Sequence, residues 1–464
     1  MKITELEPTK ENLIDSIQRD ILGRNKDVLR FAQLCDAQEK CCSMALNGRW
    51  GSGKTFFVRQ LQLLMMACND LTESITSDDR KIIKDSFDKV SKNHEDNFGL
   101  RGEVVFYYDA WDNDNDVDPL LSLVYQMASD SQEKYQFKNS PNLLKAATSV
   151  IDLITGRNIG NLVEAFKKGN ILDVIQGQKD LHSNINTFLE QLIYEHGDRL
   201  IIIIDELDRC KPDFAVQLLE RVKHYFSNEQ ITFVFAINSD ELQHTIKRYY
   251  GDGFDSCRYL DRFFDFQINI PPASLSQFYL QLGLDGTSYL YEDICKRVIL
   301  YCHFELREIM RFYRAAKIAA GKPMHSSSGY NFSFRDGKAK EIALMFLTPL
   351  LIGLRMSDIK EYRAFVNGQD SSPLIDVIGD GQLGSWYCSM LLGKNETFSD
   401  PQNENEVHVN LEDKLEQFYQ AIFNSKRNRS FDETNIGQLA ISDAVKDAVL
   451  NAISMVSAYS DFSE

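Results

Sequence analysis

Short apolar runs with no polar face recur along the first two thirds of the chain. Leu200–Ile204 (LIIII) and Ile231–Ile237 (ITFVFAI) are too short for buried helices and carry no solvent side, the pattern of strands covered on both faces. Cys42–Asn47 (CSMALN) has the same character and ends in a turn former. Each run leads into a helical pattern. KTFFVRQLQLLMMAC, from Lys54, is apolar on nearly all sides, as expected of a helix packed within a layered α/β core. Pro212 opens an amphipathic helix with Ala215, Leu218, Leu219, Val222 and Phe226 on one face. Asn238 forms the tip of the Ile231–Ile237 strand, and Ser239 is placed to cap the next helix. YLDRFFDFQINIPP predicts a further strand, stopped by its double proline.

Beyond residue 274 the pattern turns helical. HFELREIMRFYRAAK places Arg307, Arg311 and Arg314 at i, i+4 and i+7, either a solvated stripe or a source of one arginine leaning over a bound anion. Ile342–Leu354 is the longest apolar stretch; it is too short to span a bilayer, contains Pro349 and Gly353, and reads as a buried helix. The expected organisation is α/β. A helical lead-in that includes Arg24 occupies residues 1–42. A three-layer core with a mainly parallel sheet occupies 43–272 and carries a helical insertion at about 132–195. A helical lid follows at 273–345, with a loop break at 326–337, and a helical C-terminal domain at 346–464.

Composition narrows this picture. With 43% hydrophobic and 26% charged residues the chain is fit for a packed globular protein. A net charge of −17 argues against broad electrostatic binding of nucleic acid and leaves a local basic patch open. The nine cysteines show no paired spacing, as expected of buried thiols in a reducing compartment. The first twenty residues mix acids with apolar side chains and do not form a secretory leader, so a cytoplasmic location without membrane contact is expected.

The chemistry concentrates in two segments. NGRWGSGKTFF fits the pattern G-x-x-x-x-G-K-[ST] through Gly48, Gly53, Lys54 and Thr55. Bare glycine backbone lets N–H groups turn toward phosphate oxygens, and the new helix offers its unsatisfied N–H groups there. Lys54 would reach the β- and γ-phosphates and Thr55 would give an oxygen to Mg²⁺. The candidate nucleotide contacts are therefore Gly48, Trp50, Gly51, Ser52, Gly53, Lys54, Thr55 and Phe56.

The second segment is RLIIIIDELDRCKP. Asp205 ends a buried strand, where a carboxylate joins Thr55 in holding Mg²⁺, and Glu206 is the candidate general base for a water aimed at the γ-phosphate. Asp208 and Arg209 read either as part of this site or as a surface ion pair. Asn238 is a candidate for orienting that water, or a simple turn residue. Arg262 could pair with Asp261 or reach a nucleotide across a subunit boundary.

Taken in order, these segments resemble the KAP family of P-loop NTPases. GRWGSGKT carries the tryptophan typical of that family's phosphate loop, here Trp50. VVFYYDAWDNDNDVDPLLSLVYQM resembles its aromatic-rich strand ending in NAW, with Asp109 where asparagine is usual. IIIIDELDRC resembles its DDLDRC box, and FVFAINSDEL through YLDRFFDFQINIPP its next strand and basic segment. FELREIMRFY resembles its arginine motif but lacks the proline usual before it; Arg307 stands in the sensor-arginine place. The resemblance covers roughly residues 18–320 and implies an additional-strand P-loop fold distantly like AAA+ ATPases. Many relatives insert transmembrane helices in gaps that here are polar or amphipathic, so a soluble member is implied. It also implies a phage-defence setting, as for many bacterial members.

Two functions follow as expectations: an Mg²⁺-dependent ATPase whose cycle drives conformational change or assembly, or an ATP-binding scaffold with little turnover that assembles with an effector protein. A homo-oligomer is compatible with either. A small-molecule kinase shares the loop, but the Asp-Glu strand end argues against it.

Overall fold

The protein is described by a computed structural model that covers residues 7–94, 99–116, 118–134, 171–226, 228–282, 284, 290–319, 324–326, 329–331, 337–379, 388–399, 406–424 and 434–460. Most of the expected insertion at 132–195 thus lies outside the described residues. The chain divides into two compact units, residues Met1–Gln281 and Leu282–Glu464.

The first unit is built on five strands: β1 (Cys42–Asn47), β2 (Val104–Asp109), β3 (Leu200–Asp205), β4 (Ile231–Ile237) and β5 (Phe266–Asn269). All are parallel, in the order β2-β3-β4-β1-β5. The continuous apolar runs form the middle of the sheet because both of its faces are covered, and β3 and β4 are buried along their whole length. The edge strand β5 is largely exposed, which is why its sequence reads less clearly than the others.

The helices of this unit are α1 (Lys10–Arg19), α2 (Asn25–Asp36), α3 (Lys54–Cys68), α4 (Ser77–His94), α5 (Pro119–Lys134), α6 (Ile171–His196), α7 (Pro212–Tyr225), α8 (Ser239–Tyr250) and α9 (Ser256–Leu260), followed by a helix over Leu275–Leu282. On one face of the sheet Phe106, Tyr108, Ile202, Ile204, Phe233 and Phe235 pack against side chains of α5 to α8. On the other face α3 crosses β2 and β4 with α1, α2 and α4 behind it. This three-layer arrangement explains why α3 is apolar nearly all round: twelve of its residues are buried.

The parallel register brings the strand tips to one edge. Asp109 lies beside Asp205, and Asn47 lies beside both Ile237 and Asn269. Asn47 fastens this edge. Its Oδ1 accepts from the Ser239 N–H at 2.9 Å and its Nδ2 donates to Asn269 Oδ1 at 2.9 Å. The expected cap at Ser239 is therefore corrected. Asn238 holds the cap position of α8 without a side-chain cap bond, and the neighbouring strand supplies the oxygen. Ser239 is the first helical residue, and its hydroxyl accepts from Gln267.

The second unit is helical with small paired strands. Its longest described helix, Gly337–Ser357, contains the apolar run Ile342–Leu354 and carries Pro349 inside it. No helix among the described residues is long and apolar enough to cross a membrane. Within the stretch expected as a loop at 326–337, Gly329–Asn331 pairs instead with Met324–Ser326, and residues 327–328 and 332–336 lie outside the described residues.

Candidate functional site

The loop between β1 and α3 opens at the sheet edge just described. Gly48 is held at its start by donating to Ile237 O at 3.0 Å. Gly51 and Gly53 take φ of 86° and 88°, a left-handed backbone that side chains with a Cβ rarely adopt. The loop thereby curls round the Lys54 ammonium, which donates to Gly48 O at 2.7 Å and Arg49 O at 3.3 Å. Lys54 is buried; burial lowers its affinity for the proton, and Asp208, Asp205 and Glu206 act in the opposite sense. Ser52 is also buried, and its hydroxyl has no protein partner. Phe56 is buried at the start of α3, so what it can offer an anion is its backbone N–H.

Arg24, at the turn before α2, reaches this loop from the lead-in and donates to Ser52 O at 2.8 Å. It is 3% exposed, so it holds the loop from behind.

The acidic end of β3 faces the start of α3. Asp205 is fully buried; it accepts from the Glu206 N–H at 2.9 Å and the Tyr107 hydroxyl at 3.0 Å, and Thr55 also hydrogen bonds to it. Burial raises its carboxyl above the usual carboxylate range, against the pull of these donors. Tyr107 is steadied in turn by the Arg59 guanidinium, 3.4 Å from its ring centre.

Glu206 sits at φ 60°, uncommon for a residue with a side chain. Burial, then the charge of Asp205, push its carboxyl up to about 7, with Arg209 opposing. Its Oε1 faces the Thr55 hydroxyl at 3.5 Å, and its Oε2 pairs with Arg209 Nε at 2.6 Å.

The turn Leu207–Arg209 holds two residues whose surroundings the sequence did not reveal. Asp208 is 4% exposed and accepts from the Trp50 indole N–H at 2.6 Å through Oδ2. Its Oδ1 is buried without a protein partner. The Arg209 guanidinium lies over the rings of both Trp50 and Trp111, at 5.9 Å and 5.4 Å from their centres. The alternative of a surface pair between Asp208 and Arg209 is therefore replaced by two separate bonds, one to each half of the site. The only sequence cue was that a charged pair follows directly on Asp205 and Glu206.

Gly48, Trp50, Gly51, Ser52, Gly53, Lys54, Thr55, Phe56, Asp205 and Glu206 thus gather at one sheet edge. Asn238 joins them at the tip of β4, between β3 and β1, half-buried. Arg262 does not. It precedes Phe266, which pairs with Met44, so it lies toward the opposite end of the sheet, exposed and without an ion pair to Asp261. Arg307 lies in the second unit, on the exposed face of the helix Leu306–Ala319, together with Arg311 and Arg314.

A glycine loop joining a strand to a helix, a buried aspartate on another strand and a strand inserted between the two define a P-loop NTPase fold of the additional-strand kind. The model of the KAP family P-loop domain matches residues 29–291, more than half of the chain, and the protein belongs to that family. Among solved structures the chain is similar to the Aeropyrum pernix ORC1 protein in complex with DNA, at 12% identity and a TM-score of 0.32 over 98% of this chain and 94% of that one. It is also similar to the Aeropyrum pernix ORC2 protein in ADPNP and ADP complexes, at 10% identity and a TM-score of 0.26 over 95% and 94%. No curated protein matches the chain.

Proposed function

We propose that the protein binds ATP with Mg²⁺ and hydrolyses it, and that the cycle drives a conformational change or assembly. The observation that carries this reading is the convergence of Lys54, Thr55, Asp205 and Glu206: Thr55 hydrogen bonds to Asp205 and faces Glu206 at 3.5 Å. The residues present fit the nucleotide and its metal. Ser52 Oγ and Asp208 Oδ1 are buried polar atoms in want of partners, and Lys54 is a buried cation ringed by loop carbonyls. Thr55 and Asp205 are hard oxygen donors of the kind Mg²⁺ takes, usually alongside waters and phosphate oxygens. When bound, the metal would neutralise charge on the β- and γ-phosphates.

The chain's own groups would then divide the work. Loop N–H groups and Lys54 orient the phosphates. Glu206 takes a proton from the attacking water, and Asn238 lines that water up from the tip of β4. Arg262 would serve a neighbouring subunit, since its end of the sheet is remote from its own loop. A homo-oligomer follows from that assignment. In line with the resemblance to bacterial KAP proteins, we place this activity in the cytoplasm and in defence against phage, with an effector protein as partner.

A second reading is favoured by one contact. The 2.6 Å pair between Glu206 and Arg209 occupies the candidate base, as expected of a scaffold that binds ATP and turns it over slowly. Phosphate release across a panel of nucleotides, with the solution mass measured alongside, tests both. Release of phosphate from ATP at a steady rate supports the first, and tight ATP binding without release supports the second. Absence of binding to any nucleotide would overturn both.

A further inference from the structure

Arg209 takes no part in the hydrolysis scheme above beyond its pair with Glu206, yet it is tied to more of the site than any other residue of its turn. Its Nε is 2.6 Å from Glu206 Oε2. Its guanidinium lies over Trp50, at the apex of the phosphate loop, and over Trp111, in the turn after β2. Trp50 is itself fixed, because its indole N–H donates to the buried Asp208 at 2.6 Å. The turn around Trp111 is fixed as well: Asp109 accepts from the N–H groups of Trp111 and Asp112 at 3.1 Å each. Three segments distant in sequence therefore converge on one guanidinium.

The consequence falls on Glu206. Its Oε2 is taken by Arg209 and its Oε1 faces Thr55, so both carboxylate oxygens are turned toward the protein. The positive φ of Glu206 limits how its side chain can be re-aimed by the backbone alone. The Thr55 contact is long and its hydroxyl is the one assigned to the metal, so the short bond to Arg209 is what keeps the carboxylate turned toward the protein. That bond is restrained by rings that face solvent, Trp50 at 44% exposure and Trp111 at 49%. Cation–π contacts of this kind hold a guanidinium in place without neutralising it.

We propose that Arg209 is a positioning residue that holds the Glu206 carboxylate back from the water-activating position, with Trp50 and Trp111 holding Arg209 in turn. The inference rests on Glu206 being the base. It makes the pair a restraint on turnover that is released when either tryptophan moves. A contact on the exposed rings or a shift of the phosphate loop that carries Trp50 would release it.

The test uses the full chain and two readouts. Without nucleotide, in a Trp386→Phe background that leaves Trp50 and Trp111 as the only tryptophans, acrylamide quenching reports ring accessibility. Arg209→Met and Glu206→Gln should both raise the quenching constant, by removing the cation or by releasing it. Arg209→Lys, which keeps a cation able to pair with Glu206, should raise it less. With ATP, Arg209→Met should raise kcat by roughly three- to tenfold, the range that one partly exposed ion pair and its ring contacts can restrain, with KM nearly unchanged. Melting curves show that each variant is folded. A kcat for Arg209→Met that is unchanged or lower overturns the proposal, as does an unchanged quenching constant. The double variant Arg209→Met/Glu206→Gln separates this outcome from failure of the base reading. If it is as slow as Glu206→Gln alone, Glu206 is the base, and the single Arg209 variant decides the restraint. If it hydrolyses as fast as Arg209→Met, Glu206 is not the base and the restraint as stated falls with it.

Discussion

Tyr107 donates its hydroxyl hydrogen to Asp205 Oδ2 at 3.0 Å, from the strand beside it and with both groups buried. The carboxylate assigned to the metal is thereby held at a set angle by a residue that has no chemistry of its own. Replacement of Tyr107 by phenylalanine keeps the ring under Arg59 and removes the donor. The loss of one buried hydrogen bond is worth ~0.5–1.5 kcal/mol, and leaving Asp205 short of a donor lies toward the upper end. Denaturant unfolding should show a loss of this size, and hydrolysis should demand more Mg²⁺. Unchanged stability and unchanged Mg²⁺ demand would show that Asp205 is positioned by its other partners.

Lys54→Ala should abolish tight nucleotide binding and leave the fold in place. Lys54 is the buried cation inside the loop, and its removal leaves the carbonyls of Gly48 and Arg49 without that donor. Nucleotide affinity and a melting curve measured together give the answer. Affinity equal to wild type would remove Lys54 from the site.

Much of the fold was legible from the apolar pattern, and the reasons are local. β1, β3 and β4 are covered on both faces, so apolar residues dominate their sequences, interrupted only by Ser43 and Thr232 and closed by Asn47 in β1 and Asp205 in β3. The glycines of the loop announce themselves because only a bare backbone takes φ near 88° readily. The restraints around the loop were not legible. Asp208 meets Trp50 across 158 positions, and Tyr107 meets Asp205 across 98. Neither pairing leaves a trace in local periodicity. The cap of α8 was misplaced for the same reason: the oxygen comes from Asn47, 192 positions from Ser239.

Glu103 supplies a pH dependence away from the site. It is 1% exposed, and burial, then the neighbouring Asp36 carboxylate, push its carboxyl up to about 9. The folded protein therefore holds a proton there that the unfolded chain releases near its ordinary value of 4.5. Between those two values the native state binds more protons than the unfolded one, so stability falls as pH rises. The contribution is full below about 4.5 and lost progressively up to about 9. Glu103→Gln should flatten the fall in melting temperature over that window and exceed wild type at its alkaline end. Parallel curves for the two proteins would show that Glu103 titrates normally.

Arg262→Ala examines the proposed subunit boundary. An arginine supplied to a neighbour's phosphates is worth ~10³–10⁵ in turnover. The loss should appear in hydrolysis and not in binding. Mixing the Arg262→Ala and Lys54→Ala proteins should restore part of the activity, because each lacks a different half of a shared site. Hydrolysis that is independent of protein concentration, with a mixture that stays inactive, would place the whole site within one chain.

The central claim is that Glu206 activates water for attack on a triphosphate held by Lys54, Thr55 and Asp205. The most direct measurement is phosphate release by Glu206→Gln under saturating ATP, alongside its ATP affinity. Removal of a general base typically costs ~10²–10⁴ in rate. The account predicts a variant that binds ATP as tightly as wild type and releases phosphate slower by that factor. Wild-type turnover by Glu206→Gln would contradict it.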